Sequence, residues 1–282
     1  MIIKMYRNNS FMVGLCLLIL YIIIAIFSPW LVPYHPTAVT GVPLERPNAE
    51  HFLGTNTLGQ DIFSELLYGT RGTLLMGVIG GFLSTCIGTL MGAISGYYGK
   101  SIDVIITKLI DFQMTIPMFP LLILLSLFFT PNIVGVSIIM GILGWTRCAR
   151  IIRSQVLALV NYEFILMTKA IGGSDLYIII KHIVPNILPL SIANFIFAVQ
   201  GYMLMGVGLG FLGIGDPTNI NWGQMINDAY TGGAFALGLW WWLIPPGLCT
   251  AIISVAISLL AYSLEEKIVP TLKNEKYSYK NY

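Results

Sequence analysis

Charge is scarce in this chain. Of its 282 residues only 10% are Asp, Glu, Lys or Arg, against 56% hydrophobic. Soluble domains carry about 25% charged residues, so this composition excludes an ordinary soluble globular protein. Histidine is scarcer still: His35, His51 and His182 are dispersed, with no HExxH pair and no His/Cys cluster. No metal site can be assembled from that set, and no cofactor is expected. The cysteines Cys16, Cys86, Cys148 and Cys249 form no CxxC pair and lie in or beside apolar runs, as small core or lipid-facing residues do. No Ser/His/Asp set falls on one face, so no catalytic residue is assigned. Basic residues are not interleaved with aromatics in a patch, which argues against nucleic acid as a partner. Gly99-Lys100-Ser101 ends like a phosphate-binding loop, but Ile94 stands where that loop needs its first glycine. The segment also follows an apolar run instead of a strand, so it reads as a tight turn. If ATP drives this chain, the ATP sits on another one.

What the chain has is long apolar runs, with a mean hydropathy of +0.80. Several approach the roughly 20 residues that cross a bilayer as a helix. Six spans are expected, at about 11–31, 74–97, 104–128, 132–150, 187–213 and 241–264. The first is longer than the h-region of a signal peptide and is read as a retained anchor. Arg147 and Arg150 invade the end of the fourth span and can snorkel to the interface. Trp240, Trp241 and Trp242 mark an interfacial belt where the last begins. The small residues of Gly77–Gly96 allow close helix approach and are read as packing.

Lys and Arg in the short loops set orientation. With the N-terminus inside, the inner segments collect Lys4, Arg7, Lys100, Arg147, Arg150, Arg153, Lys169, Lys181, Lys267, Lys273, Lys276 and Lys280. The outer segments hold Arg46 and Arg71. Both termini are therefore expected in the cytoplasm. The outer segment from Gln60 alternates Ile62, Phe63, Leu66 and Leu67 with Asp61, Ser64 and Glu65, and predicts an amphipathic helix on the outer face. Residues 51–71 and 214–229 are expected to form an outer platform for a binding protein, whose Asp61, Glu65, Asp216 and Asp228 favour basic residues on that partner.

Asp111 is the most isolated charge near a span. A carboxylate at mid-bilayer is costly enough to be functional by default. An i,i+3 pair with Lys108 is the cheaper structural reading, and a role in substrate or ion passage is the other. Pro117 and Pro120 free backbone carbonyls there, compatible with a bent, pore-lining helix.

The inner loop of 151–186 carries the strongest signal. Phe164, Ile165, Leu166, Met167 and Ile171 fall in one helical stretch of a loop that should be polar. Helices that rest on lipid are rich in Lys and Arg on their polar face, yet between Tyr162 and Ile180 only Lys169 is basic. An exposed apolar patch of this kind marks a docking surface for a second protein. Gly172-Gly173 would end the first helix, Ser174 or Asp175 would cap the next, and Pro185 would open the following span.

At this loop the chain resembles the permease subunits of ABC importers, whose signature is E-A-A, three residues, G, nine residues, I-x-L-P. Gly172 and Pro185 keep its spacing, but Leu166, Met167 and Thr168 occupy the Glu-Ala-Ala positions, His182 the Ile and Val184 the Leu. Glu163, one turn earlier, is the acid available to replace the missing glutamate. Residues 51–71, 145–159, 172–189 and 210–229 resemble the second, C-type, permease of the dipeptide, oligopeptide and nickel branch, with Asn56 and Gln60 where that branch has Asp and Arg. The resemblance implies an all-α type I importer permease in the inner membrane of a prokaryote. It implies a homologous second permease, two ATP-binding subunits and an extracytoplasmic substrate-binding protein as partners, within the lipid bilayer. It implies ATPase coupling through Glu163, Lys169, Ala170, Gly172, Ser174 and Asp175. Residues 1–73 would be an anchor helix with an extracytoplasmic segment. Residues 74–265 would be the permease core with its coupling loop, and 266–282 a polar cytoplasmic tail. Substrates in the branch include peptides, nickel or metallophores, and oligosaccharides. The rival reading is an ATP-independent secondary transporter or channel, which usually carries buried ionisable groups or internal repeats. An intramembrane enzyme has no constellation to support it.

Overall fold

Apolar sequence in lipid must close its backbone hydrogen bonds within the segment, and helix does this locally. The computed structural model describes residues 9–128, 132–215 and 219–278, and among them there is no strand, only the isolated bridges Val39–Gln60 and Thr55–Asp61. Helix α1 spans Asn9–Leu31, α2 Ile62–Tyr98, α3 Lys100–Thr115 and α4 Met118–Phe128. Helices α5 (Ile133–Leu143) and α6 (Thr146–Leu159) follow, then the short α7 (Glu163–Ala170) and α8 (Asp175–Ile178). A π-turn at Ile179–Ile183 leads into α9 (Val184–Phe211), and α10 (Trp222–Thr231), α11 (Ala234–Leu237) and α12 (Trp240–Ser278) complete the order.

Five segments are long and apolar enough to cross a membrane: Asn9–Leu31, Ile62–Tyr98, Ile133–Leu159, Asp175–Phe211 and Trp240–Leu264. Helices α3 and α4 make a sixth if taken as one span bent by 77°. The bend falls where Pro117 forces the preceding Ile116 into extended backbone, φ −87° and ψ 121°, as a residue before proline must be. The expected bent helix is there.

Two expectations change. The outer amphipathic helix does not lie flat on a surface: it is the first turns of α2, a single helix of 37 residues, or about 55 Å. Asp61 caps that helix through Ser64, and Gly69 and Gly72 let it close on the Asn221–Trp222 segment, so the face with Ile62, Glu65, Gly69 and Gly72 is covered by protein while Phe63, Leu66 and Leu67 are half-buried. The helical segment that holds the fourth span does not end at 150 but runs on through α6 to Leu159. The tail beyond Lys267 continues the helix of α12 as far as Ser278.

Helix α2 is the axis of the fold. A Cβ at Gly77 would fall 2.6 Å from the Val199 carbonyl of α9, and one at Gly92 would fall 2.5 Å from the Ala149 carbonyl of α6. Gly88 and Gly96 meet α6 in the same way, one turn to either side of Gly92. The small residues of Gly77–Gly96 thus bring backbones together, where lipid offers no hydrophobic drive for larger side chains to pack.

Candidate functional site

The inner loop folds as a ledge. Helix α7 starts at Glu163, and its last turn meets Gly172 at φ +88°, a left-handed conformation that glycine adopts without strain. Ser174 accepts from the Tyr177 amide and caps α8, which decides between the two expected caps. Pro185 sits in the first turn of α9, where its missing N–H costs nothing. Ile165, Ile178 and Ile183 point inward and are at most 2% exposed, beside Val156 and Leu159 of α6. The upper side stands free: Met167 is 67% exposed, Ile171 86% and Leu176 67%. Glu163, Lys169, Ala170, Gly172 and Ser174 all lie exposed on it. Asp175 is exposed too, but its carboxylate accepts a 2.7 Å hydrogen bond from the Tyr97 hydroxyl at the end of α2. It ties the ledge to the axis of the fold.

Asp111 does not use Lys108. Its carboxylate takes a 2.7 Å ion pair from Arg150 of α6, with both side chains more than half exposed. Lys108 could reach it only along the helix surface, whereas α6 aims a planar guanidinium across at it. One turn down, Arg153 grips Asp103 through Nε at 2.5 Å and through a second nitrogen at 2.6 Å, and Ser95 of α2 donates to the same carboxylate. Two ion pairs therefore clamp α3 to α6.

Between α3, α6, α9 and α12 lies a cavity of about 760 Å³. Met114, Met118 and Met205, Phe197 and Tyr262, and the amides Gln113 and Asn194 line it. Gln113 donates to the Leu143 carbonyl at the gap between α5 and α6, satisfying a group that the break leaves open. Arg147, in the first turn of α6, also faces this cavity. Arg147 lies within the Ile133–Leu159 segment, which is long and apolar enough to cross a membrane.

At the other end of α2 the irregular segment 32–61 is held by polar contacts. Asp61 is 1% exposed; one carboxylate oxygen pairs with His51 Nδ1 at 2.9 Å, and the other accepts from the Ser64 amide and hydroxyl. Asp61 is thus a structural group and not part of an open platform. Asn56 and Gln60 stand where the resembling branch has an acid and a base, and they still meet, Asn56 donating to Gln60 at 2.8 Å and to Glu65 at 2.7 Å. Glu65 and Asp228 both line a pocket of about 510 Å³ here. Partial burial pushes the Asp228 carboxyl above the usual carboxylate range, and a hydrogen bond from Gln224 opposes that shift. Asp216 lies outside the described residues. Among the described residues no group of three His, Cys, Asp or Glu could hold a metal ion.

Comparison with known proteins fits this arrangement. Residues 88–274 match the family described as binding-protein-dependent transport system inner membrane component, and residues 1–49 match the N-terminal TM domain of oligopeptide transport permease C. The chain is 30% identical over 273 residues to the dipeptide transport system permease protein DppC of Bacillus subtilis, covering 96% of this chain and 84% of that one. It is 33% identical over 226 residues to the oligopeptide permease OppC of the same organism, covering 79% and 74%. A putative peptide transport system permease protein of Brucella abortus is 30% identical over 274 residues, covering 96% and 91%. The chain belongs to the binding-protein-dependent inner-membrane permease family of ABC transporters, as a membrane transport subunit and not an enzyme.

Proposed function

We propose that the protein is the C-type permease of a peptide importer, forming half of the translocation pathway and coupled to an ATPase through the α7–α8 ledge. The observation that carries this is the ledge itself. An apolar surface headed by Ile171 and Met167 stands exposed while isoleucines beneath it lock it to α6 and α9. A surface held rigidly from below and left bare above suits a partner protein. The inner excess of Lys and Arg supports a topology with the ledge and both termini in the cytoplasm and the Ile62 end of α2 outside.

In this reading two ATP-binding subunits bind on the cytoplasmic side, against the bare face of α7 and α8 and its counterpart on a homologous permease that completes the pathway. A substrate-binding protein docks on the outer side, near Glu65 and Asp228. ATP binding closes the ATPases, moves the 162–175 segment and shifts the pathway between inward- and outward-facing states. Glu163 stands in for the glutamate that Leu166 replaces. Residues 1–73 serve as anchor and outer segment, 74–265 as the core that carries the loop 151–186, and 266–282 as a tail. Peptide is favoured as substrate over nickel, a metallophore or an oligosaccharide because the relatives named above are peptide permeases.

The test is binding-protein-stimulated ATP hydrolysis by the reconstituted complex. Gly172→Trp forces a bulky residue into φ +88° on the bare face, and Ala170→Glu sets a charge there. Each is expected to lower the stimulated rate by about ten-fold or more, the cost of burying an unpaired charge or a misfit at an interface. Wild-type rates in both variants would overturn the coupling role.

A further inference from the structure

Helix α6 carries three arginines, spaced at i, i+3 and i+6. Arg150 is taken up by Asp111 and Arg153 by Asp103. Arg147 has no ion pair among the described residues and faces the 760 Å³ cavity. It is also the only charged side chain among the described residues lining that cavity. It lies within the Ile133–Leu159 segment, which is long and apolar enough to cross a membrane. An unpaired ionisable group in such a segment is costly, and is found where it faces a wet cavity and serves a passing solute or ion.

We propose that Arg147 is a specificity-determining residue of the pathway wall, recognising the carboxylate of the solute as it passes. This rests on the peptide-importer reading above, in which the carboxylate is the C-terminal one of a short peptide. The chemistry is matched on several counts. A guanidinium presents a planar fork of donors that binds a carboxylate bidentately, which an ammonium does not. The rest of the wall is neutral, so it offers no rival charge to hold the amino end. Met114, Met118 and Met205 are unbranched and adaptable, suited to side chains that differ from one peptide to the next. Arg147 is exposed to the cavity instead of sealed in it. Water therefore weakens the contact enough for the solute to leave, as passage requires.

The experiment uses the whole importer in proteoliposomes. Binding protein is supplied at saturating concentration, loaded either with a dipeptide or with the same dipeptide amidated at its C-terminus. The readout is the ratio of the two uptake rates, which cancels differences in the amount of active complex. Wild type is expected to favour the free carboxylate by about ten-fold, the scale of one charge-assisted contact. Arg147→Gln should bring the ratio near one, Arg147→Lys should keep part of the preference, and Arg147→Glu should reverse it. A ratio in Arg147→Gln equal to that of wild type overturns the proposal. So does an equal fall in uptake of both peptides with the ratio unchanged, which would mark Arg147 as a contact to the second permease. Uptake of neither peptide by wild type would bring down the peptide-importer reading itself, a result separate from any change in ratio.

Discussion

At the Ile62 end of α2 the polar side chains are used on one another, while at its Tyr98 end large apolar side chains stand bare. The first region encloses Asp61 with His51 and Ser64, and Asn56 with Glu65, in two sets of side-chain hydrogen bonds, all five residues buried. The second offers Met167, Ile171, Leu176 and Ile180 to its surroundings, each more than 60% exposed. The difference separates two kinds of importance. A group satisfied inside the chain carries stability, because its loss strands a buried partner. A group left bare carries little stability and is free to serve another molecule.

The largest effect should come from breaking the closed end. Asp61→Ala leaves the His51 ring and the Ser64 hydroxyl without their partner and removes the cap of α2. We expect a loss of about 2–4 kcal/mol, from a buried charged hydrogen bond together with a helix cap. Thermal unfolding of the detergent-solubilised complex measures it; an unchanged midpoint would show that the polar set contributes nothing. Asp61→Lys would act through the same loss and not through encounter with a partner, since the carboxylate is 1% exposed.

The bare end should respond the other way. Glu163→Ala is expected to leave the unfolding midpoint in place while weakening association of the ATPase by about ten-fold, the size of one charged interface contact. Leu166 is 51% exposed, so Leu166→Glu fits without repacking and should restore binding in the Glu163→Ala background. Co-purification yield at increasing salt reads the effect, and equal yields from wild type and Glu163→Ala would remove Glu163 from the contact. The smallest change belongs to the rim of the closed end. Asp228 faces the outer pocket, and its carboxylate accepts a hydrogen bond from Gln224. Asp228→Lys should slow docking of the binding protein by a few-fold at low salt and hardly at all at high salt, because exposed charges act over about 10 Å at 0.1 M salt. Stopped-flow association at two salt concentrations is the measurement. A slowing independent of salt would point to a steric contact at that position.

Much of the inner ledge was legible in the sequence. Gly172, Ser174 and Pro185 act within a turn of their own positions, and helix ends depend on short-range backbone chemistry. The packing role of the Gly77–Gly96 stretch was legible too, since small residues spaced a helical turn apart form one face whatever they meet. The outer end was less so. Its alternation from Gln60 to Leu67 is equally compatible with a helix lying on lipid and a helix covered by protein. Trp222 and Asn221, more than 150 residues away in sequence, cover it and decide between the two.

The amino-acid sequence by itself determined that this is a multi-pass helical membrane protein, where its apolar spans lie, and that one inner loop is too apolar for water. Hydropathy and helix-end chemistry are properties of neighbouring residues, so they survive without a fold. Only the tertiary structure decided which charges are spent. Arg150 finds Asp111 across 39 residues, and Arg153 finds Asp103 across 50. Arg147, on the same helix, is turned to the cavity instead. Helical spacing places the three arginines on α6, but which of them meets a carboxylate depends on where α3 packs against α6.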